Sequence, residues 1–349
     1  MKILEWKNNS LFILDQTKLP WKEEWIQCQK YQQVVDAIKK LKIRGAPAIG
    51  VAAGYGVALA AIRYTGYNLP EYIQEVISEF ALSRPTAVNL FMVLKRQGEI
   101  ILKNKQKSST DLKLMLLEEA KKIEEEEKER SYAISNYGAD LIPENANILT
   151  HCNTGSLATI GLGTALGIIK EAWYRRRNIN MVYFTETRPL LQGARLTGWE
   201  LCRENIPATL ITDNMAGYLF VKEKIDLVLV GADRITLNGD TANKIGTYTL
   251  AILAKYHNVP FYVAAPLSSF DFQLEKGEDI VIEERDPEEV FSIAGKRIAP
   301  EGINALNPAF DITPNELITA IITEKGIIFP PFKENLLKIK EAIENENTY

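Results

Sequence analysis

Cysteine and histidine are scarce in this chain of 349 residues, which contains three cysteines and two histidines. Cys28, Cys152 and Cys202 are too widely spaced for a zinc site and too few for a disulfide framework, so we expect free thiols in a reducing compartment. With His151 and His257 as its only histidines, the chain cannot build a histidine-rich metal centre. We therefore predict no bound metal.

An excess of positive charge is also lacking, because 41 lysines and arginines face 45 aspartates and glutamates, for a net charge of −4. Without a basic cluster interleaved with aromatic residues, we expect no nucleic-acid partner.

One uncharged run, residues 45–62, is long enough to be considered as a membrane span, but it is rich in alanine and glycine, which drive insertion poorly. We predict a tightly packed buried helix there, no membrane span and, with no readable signal peptide, a cytoplasmic protein.

The composition, 46% hydrophobic and 25% charged, is that of an ordinary globular protein, and the length exceeds one average domain. Residues 1–130 show mainly helical spacing, and two apolar runs around Asn8-Asn9-Ser10 indicate a short β-hairpin. We predict a smaller, mainly helical N-terminal domain over 1–130 and a catalytic α/β domain over 131–349.

In the second domain, short apolar runs alternate with helical segments. This alternation is typical of a doubly wound, mostly parallel, Rossmann-like sheet. Val228, Leu229 and Val230 follow one another without polar alternation, as a strand buried on both faces requires. The predicted strands are 147–150, 181–185, 208–212, 226–230 and 260–264.

Polar residues follow these strands at their carboxyl ends. Cys152 comes directly after the first strand, and Asp233 comes shortly after the fourth. Because parallel strands end at one edge, where open α/β sheets bind ligands, we expect an active site with these two as the reactive pair. Asn243 and Lys244 lie where we expect the next helix to begin, and a lysine beside free backbone N–H groups suits a phosphate.

Two other predicted helix starts combine an arginine with a proline, which fits only the first turn of a helix. The segment Arg44-Gly45-Ala46-Pro47 opens one, and Arg84-Pro85 opens the other. A guanidinium beside unpaired amides binds phosphate oxygens through two parallel hydrogen bonds. We therefore expect an enzyme that binds a phosphorylated small molecule.

Other chemistries fit the spacing less well. Gly161 and Gly163 resemble part of a dinucleotide fingerprint, but they fall inside the helix that we expect to pack on the sheet, so we predict no NAD.

Neighbours in an extended segment point to opposite faces, which disfavours a dyad of His151 with Cys152; a dyad of Cys152 with His257 stays open. At a helix start, free N–H groups would favour a thiolate at Cys152. Purely structural roles for Cys152 and Asp233 also stay open.

Six segments, in this order, resemble the methylthioribose-1-phosphate isomerase family of methionine salvage, over about residues 2–332. The resemblance implies a homodimeric aldose–ketose isomerase that converts 5-methylthioribose 1-phosphate into 5-methylthioribulose 1-phosphate without a metal or nucleotide cofactor. The segments are RGAPAIG, RPTAVNL, THCNTGSLAT, ETRPLLQGARLTGWEL, TDNMAG and GADRITLNGDTANKIGTYTLA.

The family's functional residues carry over onto matching positions of this chain. The resemblance implies that Cys152 and Asp233 are catalytic, and it alone points to Gln192 as a substrate ligand. The implied substrate-binding residues are Arg44, Gly45, Ala46, Arg84, Gln192, Asn243 and Lys244.

A sugar phosphorylated on its anomeric oxygen is locked as a ring, so a proton must reach the ring oxygen. We expect Asp233, kept protonated by an apolar pocket, to donate that proton and later to act as a base. Cys152 would take the proton from C2 as a thiolate, or stabilise the charge that develops. A hydride shift from C2 to C1 needs no such base, and solvent deuterium at C1 of the product would exclude it.

Two rival functions belong to the same superfamily. A ribose-1,5-bisphosphate isomerase would share the cysteine and the aspartate, but the segments around Arg44 and Gln192 favour the methylthio sugar. A non-catalytic regulatory subunit of the translation-initiation exchange factor 2B would share the fold and bind proteins. We would expect such a subunit to have lost the catalytic residues, which are present here.

Replacing Arg44 by alanine tests its assignment to the phosphate. We expect Arg44→Ala to raise KM for the sugar phosphate by about 10-fold to 100-fold, with a smaller effect on kcat, because a charge-assisted hydrogen bond would be lost from binding. Steady-state kinetics measure both constants. An unchanged KM would contradict the assignment.

Overall fold

The computed structural model describes residues 1–84, 88–176 and 179–346. The chain divides into two compact units, unit 1 with Met1–Ser131 and Gly155–Gly163, and unit 2 with Tyr132–Thr154 and Thr164–Tyr349. No sequence pattern marks residues 155–163 as part of unit 1. The division into two domains at residue 130, each with its own function, stays a prediction.

Unit 1 combines a small antiparallel sheet with helices. The predicted hairpin is present, and a further strand pairs with it in the order β1–β2–β3. The strands are β1 Leu4–Lys7, β2 Ser10–Leu14 and β3 Trp25–Cys28. The helices are α1 Tyr31–Lys39, α2 Ala46–Arg63, α3 Leu69–Ala81, α4 Val88–Lys103, α5 Ser109–Ala139, which belongs to unit 1 as far as Ser131, and α6 Ser156–Thr159.

Helix α2 lies in the core of unit 1. Its burial extends without interruption from Ala48 to Ala61. In the described ranges it is the one helix long and apolar enough to cross a membrane, but 78% of it is buried inside the protein. The prediction of a tightly packed core helix is therefore confirmed. Gly54 permits the close packing, since a Cβ there would lie 3.2 Å from Val93 Cγ1 on α4.

The segment that we expected to form one helix on the sheet is instead broken. Helix α6 ends at Thr159, and the chain turns through Ile160 and Gly163, both with positive φ (84° and 125°). A Cβ on Gly161 would lie 2.5 Å from Ser131 Cβ. These glycines therefore permit a tight turn within unit 1, and the prediction that they pack a helix on the sheet was wrong.

Unit 2 contains a large sheet, a small sheet and a short hairpin. Its strands are β4 Ala146–Thr150, β5 Ile179–Thr185, β6 Ala208–Ile211, β7 Leu227–Val230, β8 Arg234–Thr236, β9 Thr241–Lys244, β10 Phe261–Ala264, β11 Phe270–Asp271, β12 Ser292–Ile293, β13 Lys296–Arg297, β14 Phe310–Thr313, β15 Ala320–Thr323 and β16 Gly326–Ile328. Its helices are α7 Ala165–Arg176, α8 Gly198–Arg203, α9 Ala216–Lys222, α10 Thr247–Tyr256, α11 Glu288–Phe291 and α12 Phe332–Glu346, with a π-helix at Gly193–Thr197 and short 3₁₀ helices at Asp213–Met215, Leu267–Ser269, Gly277–Asp279 and Asn315–Leu317.

The large sheet has the strand order β16–β15–β10–β7–β4–β5–β6. The pairs between β15 and β6 are parallel, and β16 is antiparallel to β15. From β4 the chain runs outward to β5 and β6 and then returns to β7 on the other side of β4. The order is that of a doubly wound Rossmann-type sheet, with a topological switch point between β4 and β7. The predicted fold class and the five predicted strands are confirmed.

Strand β7 shows why the large sheet is buried on both faces. Leu227 and Leu229 pack into a core cluster with α7, whereas Val228 and Val230 pack into a second cluster with α9, α10 and α12. Successive side chains of a strand point to opposite faces, so an unbroken apolar run fills both clusters. Helices therefore cover both faces of the sheet.

Gly56 in α2 tests how closely the core of unit 1 is packed. A Cβ on Gly56 would lie 2.3 Å from Cζ of the fully buried Phe80, so we expect Gly56→Ala to lower the free energy of unfolding by about 1–3 kcal/mol. The matched control is Gly98→Ala in α4, where the nearest atom, Ile77 Cδ1, is 3.5 Å away. Alanine should stabilise that position by about 0.5–1 kcal/mol. Chemical denaturation measures both, and equal effects would contradict the packing argument.

Candidate active site

The segments that follow β4 and β7 carry the predicted reactive pair. Thr150 pairs with Leu229, and its hydroxyl donates a hydrogen bond of 2.7 Å to the Leu229 carbonyl. Beyond the strands the two segments stay in contact, since a Cβ on Gly231 would lie 2.7 Å from Thr154 Cγ2. Cys152 and Asp233 therefore follow neighbouring strands on either side of the switch point, where this fold binds its ligands.

Cys152 is half-buried and has a left-handed backbone, with φ of 61°. Its N–H donates to Thr187 Oγ1 at 3.0 Å, and its carbonyl accepts from Thr197 Oγ1 at 2.6 Å. It does not lie at a helix start, because α6 begins only at Ser156, so that expectation was wrong. A left-handed non-glycine residue costs about 1–3 kcal/mol and is typical of functional sites.

His151 is buried, and its two ring nitrogens are engaged in other hydrogen bonds, so neither is available as a base for the Cys152 thiol. Its Nε2–H donates to the Ile245 carbonyl at 2.9 Å, and its Nδ1 accepts from Thr185 Oγ1 at 2.5 Å. Burial lowers the pKa of His151, so the ring is neutral with both nitrogens occupied. His257 stacks on Phe220 at the end of α10. In the described residues neither histidine forms a dyad with Cys152.

Asn243 and Lys244 do not open a helix, as we had expected, but end strand β9, where both are buried. The sheet brings them beside the predicted acid, because the Asp233 N–H donates to the carbonyl of Ala242, also on β9, at 2.9 Å. Lys244 Nζ lies 5.6 Å from the centre of the Phe310 ring, and Asn243 Nδ2 donates to Thr247 Oγ1 at 2.9 Å.

The helix start expected to bind a phosphate is occupied by a carboxylate of the protein itself. Helix α10 begins after Gly246, and the N–H groups of Gly246 and Tyr248 donate to Asp311 at 2.7 and 3.1 Å. Strand β14 places Asp311 there, opposite Asn243 of β9. Burial raises the pKa of Asp311 to about 6, against the lowering effect of these N–H donors and of Lys244.

Asp233 itself is exposed. The residues that the structure describes therefore do not form the apolar pocket that we expected around this carboxyl. A bound molecule that covers the carboxyl would remove it from water and favour its neutral form.

Gln192 directly precedes the five-residue π-helix Gly193–Thr197, and π-helical turns are frequent at functional sites. Gly193 packs against the end of β5 so closely that a Cβ would lie 1.8 Å from the Thr185 carbonyl oxygen. The Gln192 side chain is 6% exposed, and its Oε1 accepts no hydrogen bond from the residues that the structure describes. Because a buried acceptor without a donor costs about 1–3 kcal/mol, Oε1 is suited to a ligand hydroxyl.

The remaining predicted ligands belong to unit 1. As predicted, α2 begins directly after Arg44-Gly45 with a proline in its first turn. Gly45 has φ of 86°, and a Cβ there would lie 2.3 Å from the Ala158 carbonyl oxygen, so only glycine fits. Arg84 is half-buried. The proline-led helix start that we predicted after it, Pro85 to Ala87, lies outside the described residues.

Several polar residues near Cys152 follow predicted strands at their carboxyl ends, but the sequence alone gave them no individual role. The carboxylate of Asp213 accepts from the N–H groups of Thr187 and Arg188 at 2.8 and 2.7 Å, so this strand-end acid supports the turn. Burial and the charge of Asp213 raise the pKa of Glu186. The strand-end position of Thr187, in the segment ETRP, places it among the polar residues at this edge of the sheet but does not predict its hydrogen bond with Cys152.

The chain can first be assigned to a family of proteins. The model of the initiation factor 2 subunit family matches residues 42–330, and the chain belongs to this family.

Within the family, the chain is similar to known isomerases. It is 55% identical over 343 residues to a methylthioribose-1-phosphate isomerase of Thermoanaerobacter sp. (strain X514), which covers 97% of this chain and 99% of the relative. A solved 5-methylthioribose 1-phosphate isomerase of Pyrococcus horikoshii OT3 has a TM-score of 0.92 and 43% identity, and covers 98% of this chain and 96% of that chain. The resemblance stated from the sequence is confirmed.

A second solved structure carries a different description. It is described as translation initiation factor eIF-2B, subunit delta, from A. fulgidus, with a TM-score of 0.88 and 45% identity. The match covers 97% of this chain and 99% of that chain.

Asp311 gives a prediction for the pH dependence of stability. Its pKa is about 6 in the folded state against an ordinary value of 3.8, so its contribution to stability is complete below pH 3.8 and is lost as the pH rises to about 6. The loss amounts to roughly 3 kcal/mol. The free energy of unfolding of the wild type minus that of Asp311→Asn should fall over this window and level off above it. Urea denaturation at a series of pH values measures the difference, and a constant difference would contradict the assignment.

Proposed function

We propose that this chain is an aldose–ketose isomerase that converts 5-methylthioribose 1-phosphate into 5-methylthioribulose 1-phosphate in methionine salvage. One observation carries the proposal: Cys152 and Asp233 follow the two strands that flank the switch point, in a chain similar over nearly its whole length to isomerases of that description. The left-handed backbone at Cys152 supports it, as does the amide oxygen of Gln192, which has no donor among the residues that the structure describes.

The two catalytic groups would act in sequence on a ring that cannot open by itself. Asp233, covered by the substrate, protonates the ring oxygen as its bond to C1 breaks, and the carboxylate then formed serves as a base. Cys152 as a thiolate takes the proton from C2, or stabilises the charge that develops while hydrogen moves from C2 to C1. The transfer is internal, since C2 is oxidised and C1 reduced, so no cofactor is needed.

The substrate ligands divide by chemistry. Basic side chains and helix-start amides suit the phosphate, and we assign this role to Arg44, Arg84 and Lys244, together with the N–H groups of Gly45 and Ala46. The amides of Gln192 and Asn243 suit sugar hydroxyls, because each can both donate and accept. Gln192 Oε1, buried without a donor among the described residues, supports this division.

We further propose that the protein is a cytoplasmic homodimer that acts without a metal or nucleotide cofactor. The widely spaced thiols support a reducing compartment. The burial of α2 inside unit 1 supports a protein without a membrane span at that helix. Gel filtration with light scattering tests the dimer.

A regulatory, non-catalytic role is the second candidate, because the A. fulgidus structure is described as an initiation-factor subunit. The complete set of predicted catalytic and binding residues favours catalysis.

Direct assay separates the proposed function from its rivals. The wild type should turn over 5-methylthioribose 1-phosphate and leave ribose 1,5-bisphosphate largely unconverted. Asp233→Asn and Cys152→Ser should each lower kcat by about 100-fold to 10,000-fold, the range for loss of an acid–base group. Cys202→Ser, which changes an exposed thiol on α8, is the matched control and should retain activity. Turnover of the bisphosphate alone would support the other isomerase, and turnover of neither sugar would support the regulatory role.

A further inference from the structure

We propose that Thr187 and Thr197 are positioning residues that hold the peptide groups of Cys152, and we call this pair the threonine clamp. The clamp deepens the proposed function, on which its effect on turnover rests. The two hydroxyls act on opposite sides of one residue: Thr187 Oγ1 accepts from the Cys152 N–H, and Thr197 Oγ1 donates to the Cys152 carbonyl.

The conformation of Cys152 explains why a clamp is needed. The left-handed region, with φ of 61° here, is unfavourable for a residue with a Cβ, because the Cβ comes too close to the following carbonyl oxygen. Two hydrogen bonds to fixed hydroxyls offset this cost and keep the thiol at one orientation. Thr187 also has positive φ, 64°, and its own N–H is held by the Asp213 carboxylate at 2.8 Å.

On the N–H side, the hydrogen bonds form a chain with a fixed direction. The Ile245 carbonyl can only accept, so His151 Nε2 carries the proton, and Nδ1 must accept from the Thr185 hydroxyl. Thr185 Oγ1 is then left as an acceptor for the Thr187 hydroxyl, 3.2 Å away, and the Thr185 carbonyl, at 3.4 Å, is a second acceptor for the same proton. The chain therefore runs from the Cys152 N–H through Thr187, Thr185 and His151 to the Ile245 carbonyl.

This chain of hydrogen bonds ends at Ile245, the residue after Lys244. A Cβ on Gly246 would lie 3.1 Å from His151 Cε1, so the turn that follows β9 rests directly on the imidazole. The position of the thiol and the position of the turn beside Lys244, the proposed phosphate ligand, are thereby linked through one neutral ring.

On the carbonyl side, a buried ion pair fixes the clamp. Asn153 Nδ2 donates to Thr197 Oγ1 at 3.2 Å and to Glu200 Oε1 at 2.9 Å, and Lys170 Nζ donates to Glu200 Oε2 at 2.6 Å. The side chains of Lys170 and Glu200 are 1% and 0% exposed. Thr197 also ends the π-helix that begins directly after Gln192, so one short helix connects a proposed sugar ligand with a clamp residue.

Thr187→Val and Thr187→Ser form the decisive pair of variants. Valine keeps the shape and removes the hydroxyl, so we expect kcat to fall by about 10-fold to 100-fold with KM changed by less than about threefold. Serine restores the hydroxyl and should return kcat to within about threefold of the wild type. A kcat for Thr187→Val equal to that of Thr187→Ser would overturn the proposal.

Thr150→Val controls for a merely structural effect. It removes a buried hydroxyl two residues before Cys152 that bonds the Leu229 carbonyl and takes no part in the clamp. We expect a similar loss of stability and an unchanged kcat. If Thr187→Val fails to fold, Thr197→Val removes the hydroxyl from the other side of Cys152 and carries the same expectations for kcat and KM.

Thiol alkylation tests the clamp without any substrate. In a Cys202→Ser background, iodoacetamide should report on Cys152, because Cys28 is buried and burial raises its pKa to about 11. Release of the half-buried Cys152 in Thr187→Val should raise the alkylation rate by about fivefold or more, whereas Thr150→Val should match the background. Equal rates would overturn the clamp. A wild type that turns over no methylthio sugar would instead refute the proposed function and leave this measurement to decide the clamp.

Discussion

The parallel pairing of β4 with β7 is the contact on which the rest of unit 2 depends. The chain leaves β4 for two outward strands and returns to pair on its other side, with Thr150 opposite Leu229. This return places the ends of two distant segments side by side, and each end carries one member of the proposed catalytic pair. The pairing lies in the centre of a sheet that is covered on both faces, so the distance between the two segments is fixed by the core rather than by loops.

Five of the seven strands of the large sheet could be predicted, because apolar runs such as Leu227–Val230 are distinct from the helical segments between them, whereas β15 and β16 were not predicted. The small sheet could not be predicted. Strand β9, Thr241–Lys244, is polar at three of four positions, and although it pairs locally with β8, its other partner β14 begins only at Phe310. Pairing of this kind depends on tertiary contacts that no local pattern records. Asn243 and Lys244 were consequently expected on a helix and lie on a strand.

The residues of the candidate site also divide into those that could be predicted from the sequence and those that could not. Strand-end reasoning located Cys152 and Asp233, because the carboxyl edge of a parallel sheet follows from topology. It gave Thr187 no individual role and did not locate Thr197, because the hydroxyls of both bond backbone groups that only the folded chain brings near. Electrostatic reasoning about the start of α10 was correct in kind, since an anion does lie there, but the anion is Asp311 of the chain itself. A helix start in a sequence thus predicts a negative partner without saying whether that partner is a ligand.

Residues 155–163 belong to unit 1 although they follow β4 of unit 2, and this order affects how the chain folds during protein synthesis. Gly45, at the start of the central helix of that unit, lies against the backbone of Ala158, which the ribosome adds more than one hundred residues later and only after strand β4. A nascent chain that ends at Ser131 therefore lacks the surface against which this glycine packs. Unit 1 reaches its final packing only once part of unit 2 has been made, so the two units cannot mature strictly one after the other as the chain emerges.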